Sequence, residues 1–296
     1  MNDHLDQFNA RLSSAQLVKM IFEKPLVSVC IPTHNGAKHL EQTIKSVLLQ
    51  TFSDFEIVVS DDGSTDETRE ILQSFSDPRI TRVVHLEQVG AEANWNSAVV
   101  AGQGLLIKLL CQDDIIYPRC LETEVLELSR PENFDCAFSF HSRDLIGERG
   151  NSLWDPLKPK FRRGCYELEQ LLPRIVRSGS NPIGQPMAVM FRSSAFKKVG
   201  GFRGDFEIDL DMWVRLLEVG GAFAIDQTLS AFRVNQSSWS KTLSKKQFKS
   251  FYTLNKKILK KFPDIVKNSD SRIGILNCSI RTFARRLFYK AMFLSK

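Results

Sequence analysis

The sequence predicts an α/β fold in which a mostly parallel sheet is flanked by helices. Short apolar runs rich in β-branched residues alternate with segments whose apolar residues recur at helical spacing. Several of these runs end in a polar cluster. The 296 residues are 43% hydrophobic and 25% charged, a globular composition that excludes disordered and collagen-like chains.

The first two units have the order strand, loop, helix. The run 26–31 (LVSVCI) predicts a buried strand that Pro32 ends, because proline cannot donate to a sheet ladder. Apolar residues at helical spacing then predict a helix over 40–50. The run 55–60 (FEIVVS) predicts the second strand, and the turn cluster 61–66 (DDGSTD) leads into the second helix.

The same alternation predicts the elements that follow. In chain order they are a helix over 67–75, a strand over 80–86, a helix over 91–101, a strand over 105–110, a helix over 120–128, a strand over 135–141, a strand over 188–191 and a helix over 210–219. Sheets of this kind bind ligands outside the carboxyl ends of their strands. The polar clusters after the strands are therefore the candidate site.

We divide the chain into an N-terminal extension over 1–24, a central domain over 25–240 and a C-terminal extension over 241–296. Within the central domain, 25–119 forms the first half and 120–240 the second. The three segments differ in charge and in the regularity of their pattern.

The C-terminal extension is basic and is predicted to be helical. Residues 241–296 hold fifteen Lys or Arg against two Asp and no Glu. Residues 272–296 interleave apolar and basic residues as a basic amphipathic helix does. Such a helix either lies on an anionic membrane surface or packs its apolar face on the central domain, and the sequence leaves both open.

The overall charge and the cysteines bound the compartment and the partners. A net charge of +6 is too small to predict a nucleic-acid partner. The six cysteines are scattered without C-x-x-C spacing, which predicts reduced core thiols. Residues 1–20 lack the apolar core of a signal peptide, and no run approaches the roughly 18 apolar residues of a membrane-spanning helix. We expect a cytoplasmic protein, at most peripheral at the inner face of the membrane.

Asp113 and Asp114 directly follow the strand predicted over 105–110. Two carboxylates at a sheet edge can hold a divalent cation together with substrate phosphates. The alternative is a solvated strand-end turn, since Asp pairs are common in turns. The sequence contains neither a G-x-x-x-x-G-K-[ST] loop nor a G-x-G-x-x-G fingerprint, so a metal is the remaining means of neutralising a diphosphate.

Two further acidic groups occupy positions where catalysis and simple structure are both plausible. Asp61 and Asp62 end a predicted strand and can accept a hydrogen bond from a nucleotide base, or form a turn and helix N-cap. Glu207, Asp209 and Asp211 stand at the start of a predicted helix, where one can deprotonate an attacking hydroxyl or all can serve as capping residues.

Four motifs in order resemble those of the family 2 glycosyltransferases. They are 27–35 (VSVCIPTHN), 61–66 (DDGSTD), 112–114 (QDD) and 209–213 (DLDMW), and the resemblance covers about residues 25–235. It implies an A-type glycosyltransferase fold, in which a Rossmann-like nucleotide half continues into an acceptor half.

The resemblance also implies a reaction. A family member transfers a sugar, typically with inversion, from a nucleotide diphosphate sugar to a hydroxyl acceptor and usually uses Mn²⁺ or Mg²⁺. For this chain it implies a UDP-sugar donor before other nucleotides, a saccharide or lipid-linked saccharide acceptor, and a role in bacterial surface polysaccharide assembly.

Residue roles follow from the resemblance by position. Pro32, Thr33 and Asn35 would line the nucleotide pocket, and Asp62 would hydrogen-bond the base. After the strand predicted over 105–110, Asp113 would contact the ribose or the metal, and Asp114 would ligate the metal. At the start of the later helix, Asp209 would be the general base.

Two departures from the family pattern affect these roles. The family's D-x-D triplet is here Cys111-Gln112-Asp113 followed by Asp114, so one carboxylate is missing. Ile208 stands where the family often has Glu beside the base, and Glu207 is displaced by one position.

The segment 233–240 (RVNQSSWS) resembles the family's mobile segment over the diphosphate. Arg233 would supply positive charge to the donor there, or be an exposed structural arginine. Trp239 would stack on a sugar or anchor local packing.

Two other classes of function remain open beside sugar transfer. One is a non-catalytic nucleotide-binding or scaffold protein on the same fold, which the intact Asp62, Asp113, Asp114 and Asp209 disfavour. The other is a nucleotidyltransferase, which would need a Gly-rich basic loop after the first strand where the chain has 33–36 (THNG).

Overall fold

A computed structural model describes residues 24–154, 158–204, 207–234 and 244–294, and for 244–247 and 285–294 it describes the backbone alone. The strands are β1 Val27–Thr33, β2 Phe55–Asp62, β3 Ile80–His85, β4 Leu106–Leu109, β5 Ile115–Ile116, β6 Cys136–Ile146, β7 Ser152–Leu153, β8 Gly164–Tyr166, β9 Val189–Arg192 and β10 Gly221–Arg233. The helices are α1 Leu40–Leu48, α2 Thr68–Ser74, α3 Ala91–Ala101, α4 Cys120–Leu128, α5 Leu168–Ser178, α6 Ser193–Val199, α7 Ile208–Leu217, α8 Ser244–Lys261 and α9 Asn268–Leu294.

One ten-stranded sheet joins the two halves of the central domain, in the order β3-β2-β1-β4-β9-β6-β10-β5, with β7 paired to β6 and β8 to β10. The α/β class is confirmed, but the sheet is mixed. Strands β3, β2, β1 and β4 pair in parallel, whereas β9 is antiparallel to both β4 and β6. In the second half, the short turn between β6 and β7 allows one antiparallel pair without a crossover helix, while β6 and β10 pair in parallel.

The strand order reverses direction at β1. The chain leaves β1 through α1 to β2 on one side, and returns after β3 and α3 to β4 on the other side. Connections that diverge from neighbouring parallel strands leave a crevice at the carboxyl ends of those strands, which is where open α/β sheets bind ligands. The crevice therefore lies between the ends of β1 and β4.

The first strand is longer than the sequence predicts. Pro32 does not end β1, which continues to Thr33, and Pro32 lies opposite Ser60 of β2. Pairing between β1 and β4 stops at Cys30 and Leu109. Pro32 is thus tolerated because its missing N–H falls beyond the end of the neighbouring strand.

An aromatic cluster in the core fixes the helix that carries Asp209. Trp213 of α7 is fully buried, and its ring centroid lies 6.0 Å from that of Phe138 and 6.1 Å from that of Phe191. The indole N–H of Trp213 donates to the Gly184 carbonyl at 3.0 Å. Packing on one side and this hydrogen bond on the other set the rotation and position of α7.

The C-terminal helices pack on the second half of the central domain. The helix α9 crosses α5 so closely that a Cβ at Gly274 would lie 2.0 Å from the Val176 carbonyl oxygen. The Asn277 amide donates to the Arg177 carbonyl at 2.7 Å, and Arg177 forms an ion pair with Asp270. The helix thus packs on the domain through Gly274 and its neighbours, but not through the apolar face that the sequence predicts to be buried, because Ile273, Leu276, Ile280 and Phe283 are exposed. Among them, no helix is both long and apolar enough to cross a membrane.

All six cysteines are free thiols. Four are buried, Cys111 is partly exposed and Cys165 is exposed. The prediction of a core thiol is therefore wrong for Cys165. This residue lies on β8, a short strand that pairs on one side with β10 and leaves its other side open, and its sulfur is 3.5 Å from that of Cys136.

Candidate functional site

Gln112 joins the carboxyl ends of β1 and β4. Its side-chain carbonyl accepts hydrogen bonds from the Thr33 hydroxyl at 2.6 Å and the His34 backbone N–H at 2.7 Å, and its amide donates to the His34 carbonyl at 3.1 Å. A carboxylate could not donate the last bond, which gives a physical reason for an amide at this position. Gly36 is required beside it, because a Cβ there would lie 2.6 Å from the Gln112 side-chain oxygen.

Asn35 joins the loop after β1 to the loop after β2. Its φ of 49° lies in the left-handed region, which asparagine tolerates better than most residues. Its N–H donates to the Ser64 hydroxyl at 2.9 Å, and its side-chain oxygen accepts the Thr65 N–H at 2.8 Å. Asn35 itself is exposed, while Pro32 and Thr33 are buried at the end of β1.

Asp61 and Asp62, at the end of β2, are both buried but have different partners. Asp61 pairs with Arg69 at 2.9 Å and accepts the Ser64 N–H at 3.2 Å, as a turn residue does. The two oxygens of Asp62 accept the backbone N–H groups of residues 89–90 at 2.5 and 3.1 Å, which ties a third loop to β2. The base-binding role of Asp62 stays a prediction.

Asp114 is a buried carboxylate with one unsatisfied oxygen. The residue is 1% exposed, Oδ1 accepts the Arg233 backbone N–H at 2.9 Å, and Oδ2 has no hydrogen-bond partner. Burial, followed by the negative charge of Asp113, raises the pKa of Asp114 well above its ordinary value. A solvated turn does not describe this residue. An orphaned carboxylate oxygen beside a second carboxylate fits an oxygen-preferring divalent cation.

Arg233 holds the Asp113–Asp114 pair through its backbone N–H and its guanidinium group. It ends β10 and is 1% exposed, so the expectations that it begins a loop or is an exposed arginine are wrong. Its Nε donates to the Asp113 carbonyl at 2.8 Å, and another guanidinium nitrogen donates to the Gln42 side chain at 2.6 Å. Residues 235–240, with Trp239, lie outside the described residues. The donor-binding role of Arg233 stays a prediction.

Asp209 lies in the first turn of α7. Its Oδ2 accepts a hydrogen bond from the Asn181 amide at 2.9 Å, and Oδ1 accepts the Leu210 N–H at 2.7 Å. Burial raises the pKa of Asp209 to about 6, against the lowering effect of these hydrogen bonds and of the Arg143 charge. A carboxylate with such a pKa can take up a proton near neutral pH.

The other acidic residues of this helix are placed differently. Glu207 occupies the N-cap position but makes no side-chain capping hydrogen bond. Asp211 forms an ion pair with Arg215 at 2.7 Å, four residues along the helix. Side-chain capping therefore does not explain Glu207, and Asp211 is committed to a local ion pair.

The tertiary structure brings the separate acidic motifs to one place. Burial and the negative charges of Asp114, Asp113 and Asp209 together raise the pKa of the Cys111 thiol well above its ordinary value. From β6, Arg143 exerts a lowering effect on the pKa of both Asp114 and Asp209. Asp209 and the Asp113–Asp114 pair therefore both lie within electrostatic range of Cys111 and of Arg143.

A pocket opens between β6 and the turn 181–184 that holds Asp209. Its walls include Phe140, Arg143, Phe161 and Asn181. The Asn181 amide donates to the Gly184 carbonyl at 2.8 Å as well as to Asp209, so one side chain connects the pocket wall to the carboxylate. Neither Asn181 nor Arg143 could be predicted from the sequence, because neither belongs to a motif.

A second cluster of buried titratable side chains, which we call the Lys108 cluster, consists of Lys108, Cys120, Glu124 and His141. The Lys108 ammonium donates to both Glu124 oxygens at 2.7 and 2.8 Å, and both side chains are fully buried. Ligand atoms of Cys120, Glu124 and His141 are close enough together to hold a metal ion. Lys108 already supplies the positive charge, so the cluster is balanced without one. The lysine inside an apolar strand was its only sequence signal.

A family model described as glycosyl transferase family 2 matches residues 28–200. Chondroitin synthase of Escherichia coli is 28% identical over 214 residues, which are 71% of this chain and 28% of that protein. The family match covers more than half of the chain. The chain belongs to glycosyl transferase family 2.

Solved structures share the fold at low identity. Staphylococcus aureus TarS 1–349 in complex with UDP-GlcNAc has a TM-score of 0.63 and 18% identity, over 79% of this chain and 66% of that one. The mannosyltransferase PcManGT from Pyrobaculum calidifontis, in complex with GDP-Man and Mn²⁺, has a TM-score of 0.61 and 17% identity, over 91% and 76%. The A-type glycosyltransferase fold is thus confirmed.

Proposed function

We propose that this chain is an inverting, metal-dependent glycosyltransferase that moves a sugar from a nucleotide diphosphate sugar to a hydroxyl acceptor. The acceptor class is a saccharide or lipid-linked saccharide, and the product a surface polysaccharide. The observation that carries the proposal is the buried Asp114 oxygen that has no hydrogen-bond partner. It is supported by Asp209, which has a pKa of about 6 and lies within electrostatic range of the same Cys111 thiol.

The donor binds across the carboxyl ends of β1 and β2. Pro32, Thr33 and Asn35 line the nucleotide, and Asp62 hydrogen-bonds the base through lone pairs that the residue 89–90 amides leave available. The loops are already joined by Gln112 and Asn35, so little ordering is needed when the donor binds. UDP in a TarS complex supports a UDP-sugar as first choice.

Asp113 and Asp114 hold Mn²⁺ or Mg²⁺. When bound, the cation supplies positive charge to the diphosphate leaving group. Arg233 holds the Asp113 backbone through its carbonyl and the Asp114 carboxylate through its own backbone N–H, and its positive charge serves the donor site. Support comes from the Mn²⁺ in the PcManGT complex.

Asp209 is the general base. It accepts the proton of the acceptor hydroxyl as that oxygen attacks the anomeric carbon from the face opposite the leaving diphosphate, which inverts the configuration. Asn181 holds Oδ2 of the base, and the Leu210 N–H holds Oδ1. The pocket beside Asn181, with the apolar rings of Phe140 and Phe161, receives the acceptor. Chondroitin synthase supports polysaccharide assembly as the setting.

The test is nucleotide release from a panel of UDP-, GDP- and dTDP-sugars, with Mn²⁺ or with EDTA. Asp209→Asn should lower turnover by about 10²–10⁴-fold, the usual contribution of a general base, and should still bind donor. Asp114→Asn should lose the metal-dependent thermal shift that the donor produces. Asp211→Asn is the matched control, because it removes a carboxylate from the same helix but from a local ion pair.

Each alternative has a distinct outcome. Donor binding with full turnover in Asp209→Asn would contradict the role of the base. Nucleotide-sugar binding without turnover against any acceptor would favour the non-catalytic binding protein. Turnover that is unchanged in EDTA would contradict the metal.

A further inference from the structure

The helix α9 has an apolar face that nothing in the described part of the chain covers. Four large side chains on this face are exposed: Ile273 at 45%, Leu276 at 62%, Ile280 at 57% and Phe283 at 65%. Their spacing of three, four and three residues places them in one row along the helix. We call this row the α9 stripe.

The stripe is not the side of the helix that holds the domain together. Gly274 and Cys278 meet α5 on another face, where a Cβ at Gly179 would lie 2.3 Å from the Cys278 backbone nitrogen. The helix is therefore docked through one face while a second apolar face points to solvent. Rows of exposed apolar side chains of this kind mark an interaction surface.

The charge of the surrounding segment identifies the partner. Residues 241–296 have a net charge of +13, whereas the rest of the chain has a net charge of −7. Exposed basic residues of the described helices include Lys256, Lys257 and Lys260 on α8 and Arg272 next to the stripe, whereas Lys261 forms an ion pair with Glu218. A second copy of this chain would bring a like charge of +13 against it, which disfavours self-association through this region.

We propose that the α9 stripe binds the anionic surface of a lipid bilayer. The four apolar side chains enter the headgroup boundary, and the basic residues of α8 and α9 are attracted to the negative lipid charge. Because no helix of the described residues can cross a membrane, the contact is in the plane of the interface. The contact is independent of the sugar-transfer proposal, and a lipid-linked acceptor would gain from it by proximity.

The test is flotation of the full-length protein with vesicles of phosphatidylcholine alone or with 30% phosphatidylglycerol. Leu276→Gln/Ile280→Gln/Phe283→Gln removes three exposed side chains without touching the α5 contact. Leu86→Gln/Val100→Gln/Leu126→Gln is the matched control, since these residues are 92%, 74% and 54% exposed elsewhere on the molecule. We expect binding to anionic vesicles that weakens at least tenfold in the stripe variant and stays unchanged in the control.

Two results support the proposal: dependence of binding on phosphatidylglycerol with weakening in high salt, and a selective loss in the stripe variant. Equal binding of the stripe variant and the control would overturn it. Failure of the wild-type protein to bind either kind of vesicle would also overturn the proposal, whichever segment then covers the stripe. A lipid-free dimer that the stripe variant abolishes would overturn it in favour of a second copy.

A direct readout guards against misfolding of the triple variant. Phe283→Trp places an indole in the stripe, and we expect brominated anionic lipid to quench its added fluorescence. Absence of quenching while the protein floats with the vesicles would show that another surface makes the contact and would overturn the proposal. Nucleotide release, measured on the same samples, reports separately on the catalytic site.

Discussion

The Lys108 cluster and the Asp113–Asp114 edge both bury a carboxylate next to β4, but they balance its charge differently. Glu124 receives two hydrogen bonds from a buried ammonium group of the same chain. Asp114 receives one backbone N–H, and its second oxygen has no hydrogen-bond partner. The charge of Glu124 is therefore neutralised within the chain, whereas Asp114 has an oxygen that can bind a ligand.

This difference decides which of the two sites we assign to a metal ion. Cys120, Glu124 and His141 have metal-ligand chemistry and proximity, and His141 is held neutral because burial and Lys108 lower its pKa well below the ordinary value. A divalent cation placed there would add to the charge of Lys108 in a site whose side chains are fully buried. At Asp114 the same cation would meet an uncompensated negative charge. Proximity of ligands alone is therefore a weaker criterion than the balance of buried charge.

The largest expected effect comes from removing Lys108. Lys108→Met should lower the free energy of unfolding by about 3–5 kcal/mol, because it leaves Glu124 buried and unpaired. Urea unfolding followed by far-ultraviolet circular dichroism measures this loss. The double variant Lys108→Met/Glu124→Gln should recover most of it, since it removes both charges.

The exposed pair of Lys45 and Glu41, at 2.6 Å, is the control for this experiment. Lys45→Met should change the free energy of unfolding by less than about 0.5 kcal/mol. A double variant at Lys108 and Glu124 that is no more stable than Lys108→Met alone would show that the two charges do not balance each other.

The second prediction makes the same chemical change in both clusters and expects opposite signs. Asp114→Asn should raise the melting temperature of the metal-free protein by a few degrees at pH 8, because a buried carboxyl with a raised pKa is costly to ionise. Glu124→Gln should lower the melting temperature, because Lys108 loses its partner.

Thermal unfolding with Mn²⁺ and with EDTA completes the second comparison. Mn²⁺ should stabilise the wild-type protein and Glu124→Gln, but not Asp114→Asn. If Mn²⁺ stabilises Asp114→Asn as strongly as the wild type, the cation binds elsewhere.

The smallest predicted effect is a shift in pH dependence. Asp209 must be ionised to accept a proton, so turnover should rise with pH through about 6. Asn181→Ala removes a hydrogen bond from the ionised form, which raises the pKa of Asp209 and moves this limb to higher pH by about one unit.

The pH profile of turnover under saturating donor measures this shift. Asn96→Ala is the control, because Asn96 also bonds a loop, at the Phe202 N–H and carbonyl, and has no contact with Asp209. If the rising limb of the pH profile stays in place in Asn181→Ala, or moves equally in both variants, the positioning role of Asn181 is contradicted.

Much of the site could be predicted because its residues follow strands. Asp62 and Asp114 stand at or just after the carboxyl ends of β2 and β4, as the apolar runs predict. Other predictions failed where the outcome depends on the length of a strand. Pro32 continues β1 because β4 is shorter than its neighbour, and Arg233 is buried because the strand β10 runs one residue into the expected loop.

The sequence by itself determined the alternation of strands and helices, the family and the order of the acidic motifs, because these depend on short-range periodicity and on residue identity. Only the tertiary structure decided that Asp209 and the Asp113–Asp114 pair act on the same thiol, that Asn181 holds Asp209, and that Lys108 neutralises Glu124. Those outcomes depend on contacts between residues far apart in the chain and on the balance of charge after burial, which no local pattern records.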